Sequence, residues 1–302
     1  RKPYNEYTEE FVELRDQQAN DYVRERIHQA KSGLMVSKWG TIELGNVCSL
    51  LSNELHIPLK DICEGKVNYD REGSLMWLTN NAGFFPNSLP EGKRFAHLAL
   101  EDASEIDILG SYVQHEYYVR SYTEKAKKIN LNGYYAPFLW KNPWTKELEG
   151  KKVLVVHPFA ETIKKQYDKR EHLFDNPDVL PEFENLTVIK AVQSIAGNSS
   201  ETGFKDWFEA LDFMKNQMDQ SDYEIALIGC GAYGMSLAAY AKRQGKIAVH
   251  MAGWTQMLFG IYGNRWMEDQ PEFKKYINEY WTRPSVDERP KNAEKVEGGC
   301  YW

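Results

Sequence analysis

The sequence predicts an α/β protein built on a doubly wound, mostly parallel sheet with helices on both faces, and three observations carry that prediction. Residues 151–159 form a nearly continuous apolar run through Val153, Leu154, Val155 and Val156 that stops at His157-Pro158, as a strand buried on both faces does. Near the other end of the chain, Ile225 to Ile228, a glycine turn at 229–234, a helical stretch at 235–244 and a second apolar run at 247–251 follow one another as strand, turn, helix, strand. The third observation is the same order at the start: residues 34–39 are short and β-prone, Gly40 breaks them, and helical spacing follows through residues 44–55.

The remaining elements fill in around these. Phe11, Leu14, Tyr22, Val23 and Ile27 recur at helical spacing within residues 4–31, which ends at Ser32-Gly33. Residues 58–92 are rich in Gly, Pro and Asn around Asn80-Asn81-Ala82-Gly83 and predict irregular or short helical structure. Helical spacing returns over 93–113 through Phe95, Leu98, Ile106, Ile108 and Leu109. An aromatic-dense stretch then runs from Tyr117 to Trp144, suited to a core or a domain seam and also to stacking on a sugar. Residues 186–191 predict another strand and 207–218 another helix. The tail from 283 is polar and turn-rich until Cys300-Tyr301-Trp302, whose aromatics predict docking onto the body.

At 302 residues, 42% apolar and 27% charged, the chain can bury the core of one unit over 1–302 or of two halves, 1–148 and 149–302. A net charge of -7 without a long single-sign block argues against a nucleic-acid backbone as the main partner. The apolar runs are far shorter than the roughly 20 residues a membrane helix needs, and Arg1-Lys2-Pro3-Tyr4 leads into no signal-like run. Cys48, Cys63, Cys230 and Cys300 stand singly, without the spacing of a zinc site or a disulfide framework. These features together predict a cytoplasmic protein without a transmembrane segment.

In an open α/β sheet, ligands collect beyond the carboxyl ends of the strands, so the residues just after each strand are the candidates. They are Glu43, His157, Gln193 and Ser194, the turn 229–234, and the stretch from Gly253 to Gln256. Gly229-Cys230-Gly231-Ala232-Tyr233-Gly234 fits G-x-G-x-x-G between a strand and a helix, where glycines let a diphosphate approach the backbone and the helix N-terminus favours its charge. The same glycines would also serve close packing of helix on strand. The following strand ends His250-Met251-Ala252-Gly253 and lacks the acidic residue that a nicotinamide dinucleotide's ribose would want, which favours a nucleotide diphosphate. Glu43 suits a divalent ion or a base, and equally a first-turn carboxylate facing a helix dipole. His157 suits phosphate binding or proton transfer, and equally a structural hydrogen bond. Arg265, in Asn264-Arg265-Trp266, is the candidate cation for phosphate oxygens.

Three stretches resemble a known family. Ser37-Lys38-Trp39-Gly40-Thr41-Ile42-Glu43-Leu44, Leu227-Ile228-Gly229-Cys230-Gly231-Ala232-Tyr233-Gly234 and Ala252-Gly253-Trp254-Thr255-Gln256 are together similar to the GT-D type of bacterial glycosyltransferase, and more so to relatives from polysaccharide-synthesis regions. The resemblance covers the two ends of the sheet and hardly touches residues 58–146. It implies a Rossmann-like fold, a nucleotide-diphosphate sugar donor (UDP-linked), and transfer to a growing glycan or lipid-linked glycan, the latter drawing the protein to the inner membrane face. Gly229, Gly231, Ala232, Tyr233, Gly234, Gly253, Gln256, Gln193, Ser194 and Arg265 would then hold the donor, with Glu43 near the reacting sugar and Glu43 or His157 as base. In that family the first motif carries a D-x-E that helps bind metal. Here Glu43 matches the last carboxylate and Thr41 stands at the first, leaving Mn²⁺ or Mg²⁺ on Glu43 an open expectation. The alternatives are a non-catalytic nucleotide-sugar-binding or scaffold protein of a glycan assembly complex, and an NAD-dependent oxidoreductase.

Overall fold

The alternation of apolar side chains along short runs is realised as a sheet buried on both faces. The computed structural model describes residues 10–302. Among them seven strands form one all-parallel sheet: β1 Leu34–Lys38, β2 Ile108–Gly110, β3 Lys127–Ile129, β4 Lys152–His157, β5 Asn185–Lys190, β6 Ile225–Ile228 and β7 Ile247–His250. Their order is β3-β2-β1-β7-β6-β4-β5. The helices of eight residues or more are α1 Asp16–Gln29, α2 Thr41–Leu50, α3 Leu89–Ala103, α4 Ala160–Tyr167, α5 Trp207–Asp219 and α6 Gly234–Arg243. This is a Rossmann-like α/β fold. No helix among the described residues is long and apolar enough to cross a membrane.

Successive strand residues point to opposite faces, and the two cores divide accordingly. Met35, Leu154, Val156, Ala226, Ile228 and Ala248 face one core with Leu44 and Val47 of α2, Phe95 of α3, Leu211 of α5 and Leu237 of α6. Leu34, Val36, Val153, Val155, Ile225, Leu227 and Val249 face the other with Val23 and Ile27 of α1, Ile163 of α4 and the segment after β7. Each such fully buried Leu or Val contributes about 1.5–3 kcal/mol relative to an exposed one. The sheet runs without a break across residues 148 and 149, because β1 pairs with β7 from Leu34↔Ile247 to Val36↔Val249.

That pairing positions the site. The chain leaves β1 and β6 toward the first core, through α2 and α6, and leaves β7 and β4 toward the second, through Trp254–Leu258 and α4. Along the spatial order β1-β7-β6-β4 the exits therefore alternate between faces, which opens a crevice at the carboxyl ends of the central strands.

The elements differ from the sequence reading in instructive places. Of the opening helix, residues 4–9 lie outside the described residues; α1 begins only at Asp16, after Leu14 bridges Ile129. The helix read into 93–113 ends at Ala103, and Ile108–Gly110 is a strand. That strand and Lys127–Ile129 have three residues each, too few to show a period of two, and their pairing comes from neighbours far along the chain. Residues 58–88 hold the short helices Leu59–Cys63 and Arg71–Trp77 and the turn Leu78–Ala82, as their composition predicts. In the aromatic stretch, Tyr134 and Trp144 are fully buried, with Tyr134 donating to the His250 carbonyl at 3.1 Å and Trp144 donating to the Tyr134 carbonyl.

Candidate functional site

A cavity of about 330 Å³ occupies the crevice, bordered by residues at the carboxyl ends of six strands, β1, β2, β4, β5, β6 and β7. Ten of the twelve predicted site residues line it: Glu43, His157, Gln193, Ser194, Gly229, Gly231, Tyr233, Gly253, Gln256 and Arg265. Ala232 and Gly234 do not. Gly234 opens α6 with the His250 imidazole lying directly against it, where any Cβ would collide with the ring. Its glycine serves helix-on-strand packing, the alternative that the motif always carries.

Several of the ten are occupied by structural work. The Ser194 hydroxyl donates to the Gly83 carbonyl at 2.5 Å and lies 3.3 Å from the Tyr233 hydroxyl, while the Tyr233 ring stacks on Trp207 at 5.1 Å. Ser194 and Tyr233 thus fasten the Asn81-Ala82-Gly83 turn onto the glycine turn. Gly231, at φ +59°, lets the backbone approach so closely that a Cβ would stand 2.7 Å from the Ala82 carbonyl oxygen. At Gly253 the obstacle would be the Tyr301 ring.

Glu43 is the third residue of α2, whose N-terminal turn faces the cavity through Gly40, Thr41 and Ile42. Its carboxylate folds back over Gly40, where a side chain would collide with it. Burial raises the Glu43 carboxyl above the ordinary carboxylate range, Lys38 and its own amide oppose the rise, and Glu297 adds to it. The first turn of α2 presents a partial positive charge to the same space.

His157 is almost entirely buried, and burial pushes its imidazole down to about 3, so it is neutral at ordinary pH. The Phe159 amide donates to its Nδ1 at 3.1 Å, which places the imidazole proton on Nε2. His157 therefore meets the cavity as a hydrogen-bond donor. The ring nitrogen able to accept a proton, Nδ1, is already engaged by the Phe159 amide.

Arg265 borders the cavity with its guanidinium paired to Glu297 and 4.6 Å from the centroid of the Tyr301 ring. Neither partner was evident from sequence, because both lie in the tail. The tail returns to the body through the Arg265 amide on the Cys300 carbonyl at 2.8 Å and the Gln256 Nε2 on the Tyr301 carbonyl at 3.2 Å.

Lys38, Asn81, Tyr112 and His250 also line the cavity and were not singled out as site residues. Lys38 is 3.1 Å from the Tyr112 hydroxyl and, among the described residues, forms no ion pair. Tyr112 is placed by the buried Glu116, whose carboxylate accepts from the Tyr112 and Val113 amides at 3.0 Å each and from the Ser111 hydroxyl. Strand-end position was the available signal for Lys38 and His250; none existed for Tyr112.

Five buried side-chain atoms on cavity-lining residues have no hydrogen-bond partner: Asn81 Nδ2, Gln193 Nε2, His250 Nε2, Gln256 Oε1 and Trp302 Nε1. Each such atom costs about 1–3 kcal/mol, a cost that a polar ligand able to reach it would remove. As for metal, the described residues contain no group of three His, Cys, Asp or Glu arranged to hold an ion. Thr41 supplies no carboxylate, and Glu297 is committed to Arg265. The residues present do not compose a protein-built Mn²⁺ or Mg²⁺ site.

Compared with family models, with curated proteins and with solved structures, the chain matches none of them.

Proposed function

We propose that the chain is a glycosyltransferase that moves a sugar from a nucleotide-diphosphate donor, UDP-linked, to a growing bacterial glycan. One observation supports this above the others: Glu43, the glycine turn at Gly229 and Gly231, and the cations Lys38 and Arg265 border a single cavity. In the reaction, the acceptor hydroxyl oxygen forms a bond to the anomeric carbon of the donor sugar. The bond from that carbon to the diphosphate oxygen breaks, and its electron pair leaves with the diphosphate. Glu43, held above the usual carboxylate range, takes the hydroxyl proton. Lys38, Arg265 and the first turn of α2 meet the charge that gathers on the leaving diphosphate, and the His157 Nε2–H is a further donor.

A second reading, nucleotide-sugar binding without transfer, is favoured by two observations: Thr41 in place of a carboxylate and the occupied His157 Nδ1. One experiment separates them. Nucleotide sugars that raise the melting temperature are incubated with bacterial glycan and lipid-linked glycan acceptors, with and without Mn²⁺ or Mg²⁺. Transfer that is lost in Glu43→Gln and weakened in Arg265→Ala, both folded, is the result expected. Stabilisation by a donor without transfer to any acceptor would establish the second reading, and stabilisation by NAD(H) with no response to UDP would overturn both.

A further inference from the structure

Arg265 is the cation best placed for an anionic ligand, yet it already holds an anion. Its Nη2 is paired with the Glu297 carboxylate, and Glu297 lines the same cavity with nearly half of its side chain exposed. The Cys300 thiol lies 3.4 Å from both partners, and the Tyr301 ring lies under the guanidinium. Arg265 and Glu297 are thus joined at the mouth of a segment, not within a core.

The backbone around Glu297 is built for a sharp local course. Glu297, Gly298 and Gly299 have φ of +46°, +67° and +78°, three successive left-handed residues. Glycine adopts that region freely, whereas glutamate is strained in it. A non-glycine residue in this conformation is held by its surroundings, and Glu297 is held by the Arg265 pair and the Cys300 thiol. Gly299 donates to the Val296 carbonyl at 2.8 Å, and Val296 is buried, so the segment turns sharply just beyond an anchored residue.

We infer that Glu297 is an affinity-setting residue of this site, an internal carboxylate that occupies Arg265 until the phosphate group of an incoming ligand takes its place. Arg265 exchanges one anion for another, so the charge it contributes to binding is offset by the release of Glu297 into the cavity mouth. The displaced carboxylate then lies beside the bound anion and opposes it. Removing the Glu297 charge leaves Arg265 free from the outset and ends that opposition. The inference deepens the proposed function, since it concerns the same cavity, but it requires only that a phosphate-bearing ligand binds there.

Calorimetric titration with inorganic pyrophosphate and with UDP tests it. Glu297→Gln is expected to bind both at least tenfold tighter than the unaltered protein, whereas a merely structural role for Glu297 would weaken binding or leave it unchanged. Glu294→Gln, an exposed neighbour with the same charge change, is expected to leave affinity within twofold. In the Arg265→Gln background the gain from Glu297→Gln should vanish, and Arg265→Met, also uncharged, provides a second background if that variant does not fold. Equal or weaker binding by Glu297→Gln, a gain shared by Glu294→Gln, a gain that survives loss of Arg265, or no pyrophosphate binding by any variant overturns the inference. Failure of the glycosyltransferase reading is a different result: anion binding tightened by Glu297→Gln, with no donor turned over.

Discussion

The Lys38 ammonium lies 5.1 Å from the centroid of the Tyr112 ring and 3.1 Å from its hydroxyl, so one tyrosine both cushions and hydrogen-bonds a cation of the cavity that forms no ion pair among the described residues. The same hydroxyl is 3.2 Å from Thr41 Oγ1, linking the end of β1 to the first turn of α2. Tyr112→Phe keeps the ring under Lys38 and removes both polar contacts. Pyrophosphate affinity, measured by calorimetry, should fall about three- to tenfold, corresponding to one hydrogen bond of about 1 kcal/mol. An unchanged affinity would show that Lys38 needs no help from Tyr112.

Glu43→Gln should reduce sugar transfer about 10²- to 10⁴-fold while donor affinity changes little, the span attributed to a positioned base. It should also alter stability with a definite sign. Because the Glu43 carboxyl is raised in the folded chain, the folded state binds its proton more tightly than the unfolded state does. Ionisation of Glu43 therefore costs stability at neutral pH and not in acid. Glu43→Gln should melt higher than the unaltered protein at pH 7–8, with the difference closing as the pH falls below the ordinary carboxylate value of about 4. A gap that widens in acid would contradict the assignment.

His157 and His250 are both pushed down to about 3 by burial, with Lys38 adding to the effect on His250. In the unfolded chain each would take up a proton near the ordinary imidazole value of about 6.5, while the folded chain resists it. The stability they contribute is complete above that value and is lost as the pH falls toward about 3, at about 1.4 kcal/mol per pH unit for each ring. NMR of the two imidazoles should show no titration between pH 8 and 5. A midpoint near the ordinary imidazole value in either ring would sink this reading, and with it the view of His157 as a fixed donor.

Gly234→Ala ought to help α6 by about 1 kcal/mol on helix propensity alone. Here the new methyl would strike the His250 imidazole, so the net effect should be a loss of roughly 1–3 kcal/mol in urea unfolding. In a His250→Ala background the collision is gone, and the same substitution should become neutral or stabilising. A loss of equal size in both backgrounds would mean that the imidazole is not the obstacle.

Much of the scaffold was legible because its strands stop abruptly. The run ending at His157-Pro158 and the strand-turn-helix around Gly229 are local signals, and both reappear with boundaries within a residue or two. Strand-end reasoning likewise singled out Glu43, His157 and Gln193, which border one cavity. It could not assign their states. The tautomer of His157 depends on the Phe159 amide, and the pairing of Arg265 depends on Glu297, a residue from a polar tail. The glycine motif overstated Gly234 because a glycine that admits a phosphate and one that admits an imidazole read alike. β2 and β3 escaped notice because three residues hold no period, and the structural partner of Ser194 was hidden because Gly83 is 111 residues away.

The pairing of β1 with β7 has a consequence for how the protein comes into being. Ser37 and His250 meet at 3.0 Å across a separation of 213 residues, so the middle of the sheet cannot close until the chain through β7 has left the ribosome. Until then β1 presents an unpaired apolar edge beside β2, the kind of surface on which nascent chains stick to one another. Translation speed and chaperone supply should thus govern the yield of this protein more than its final stability does.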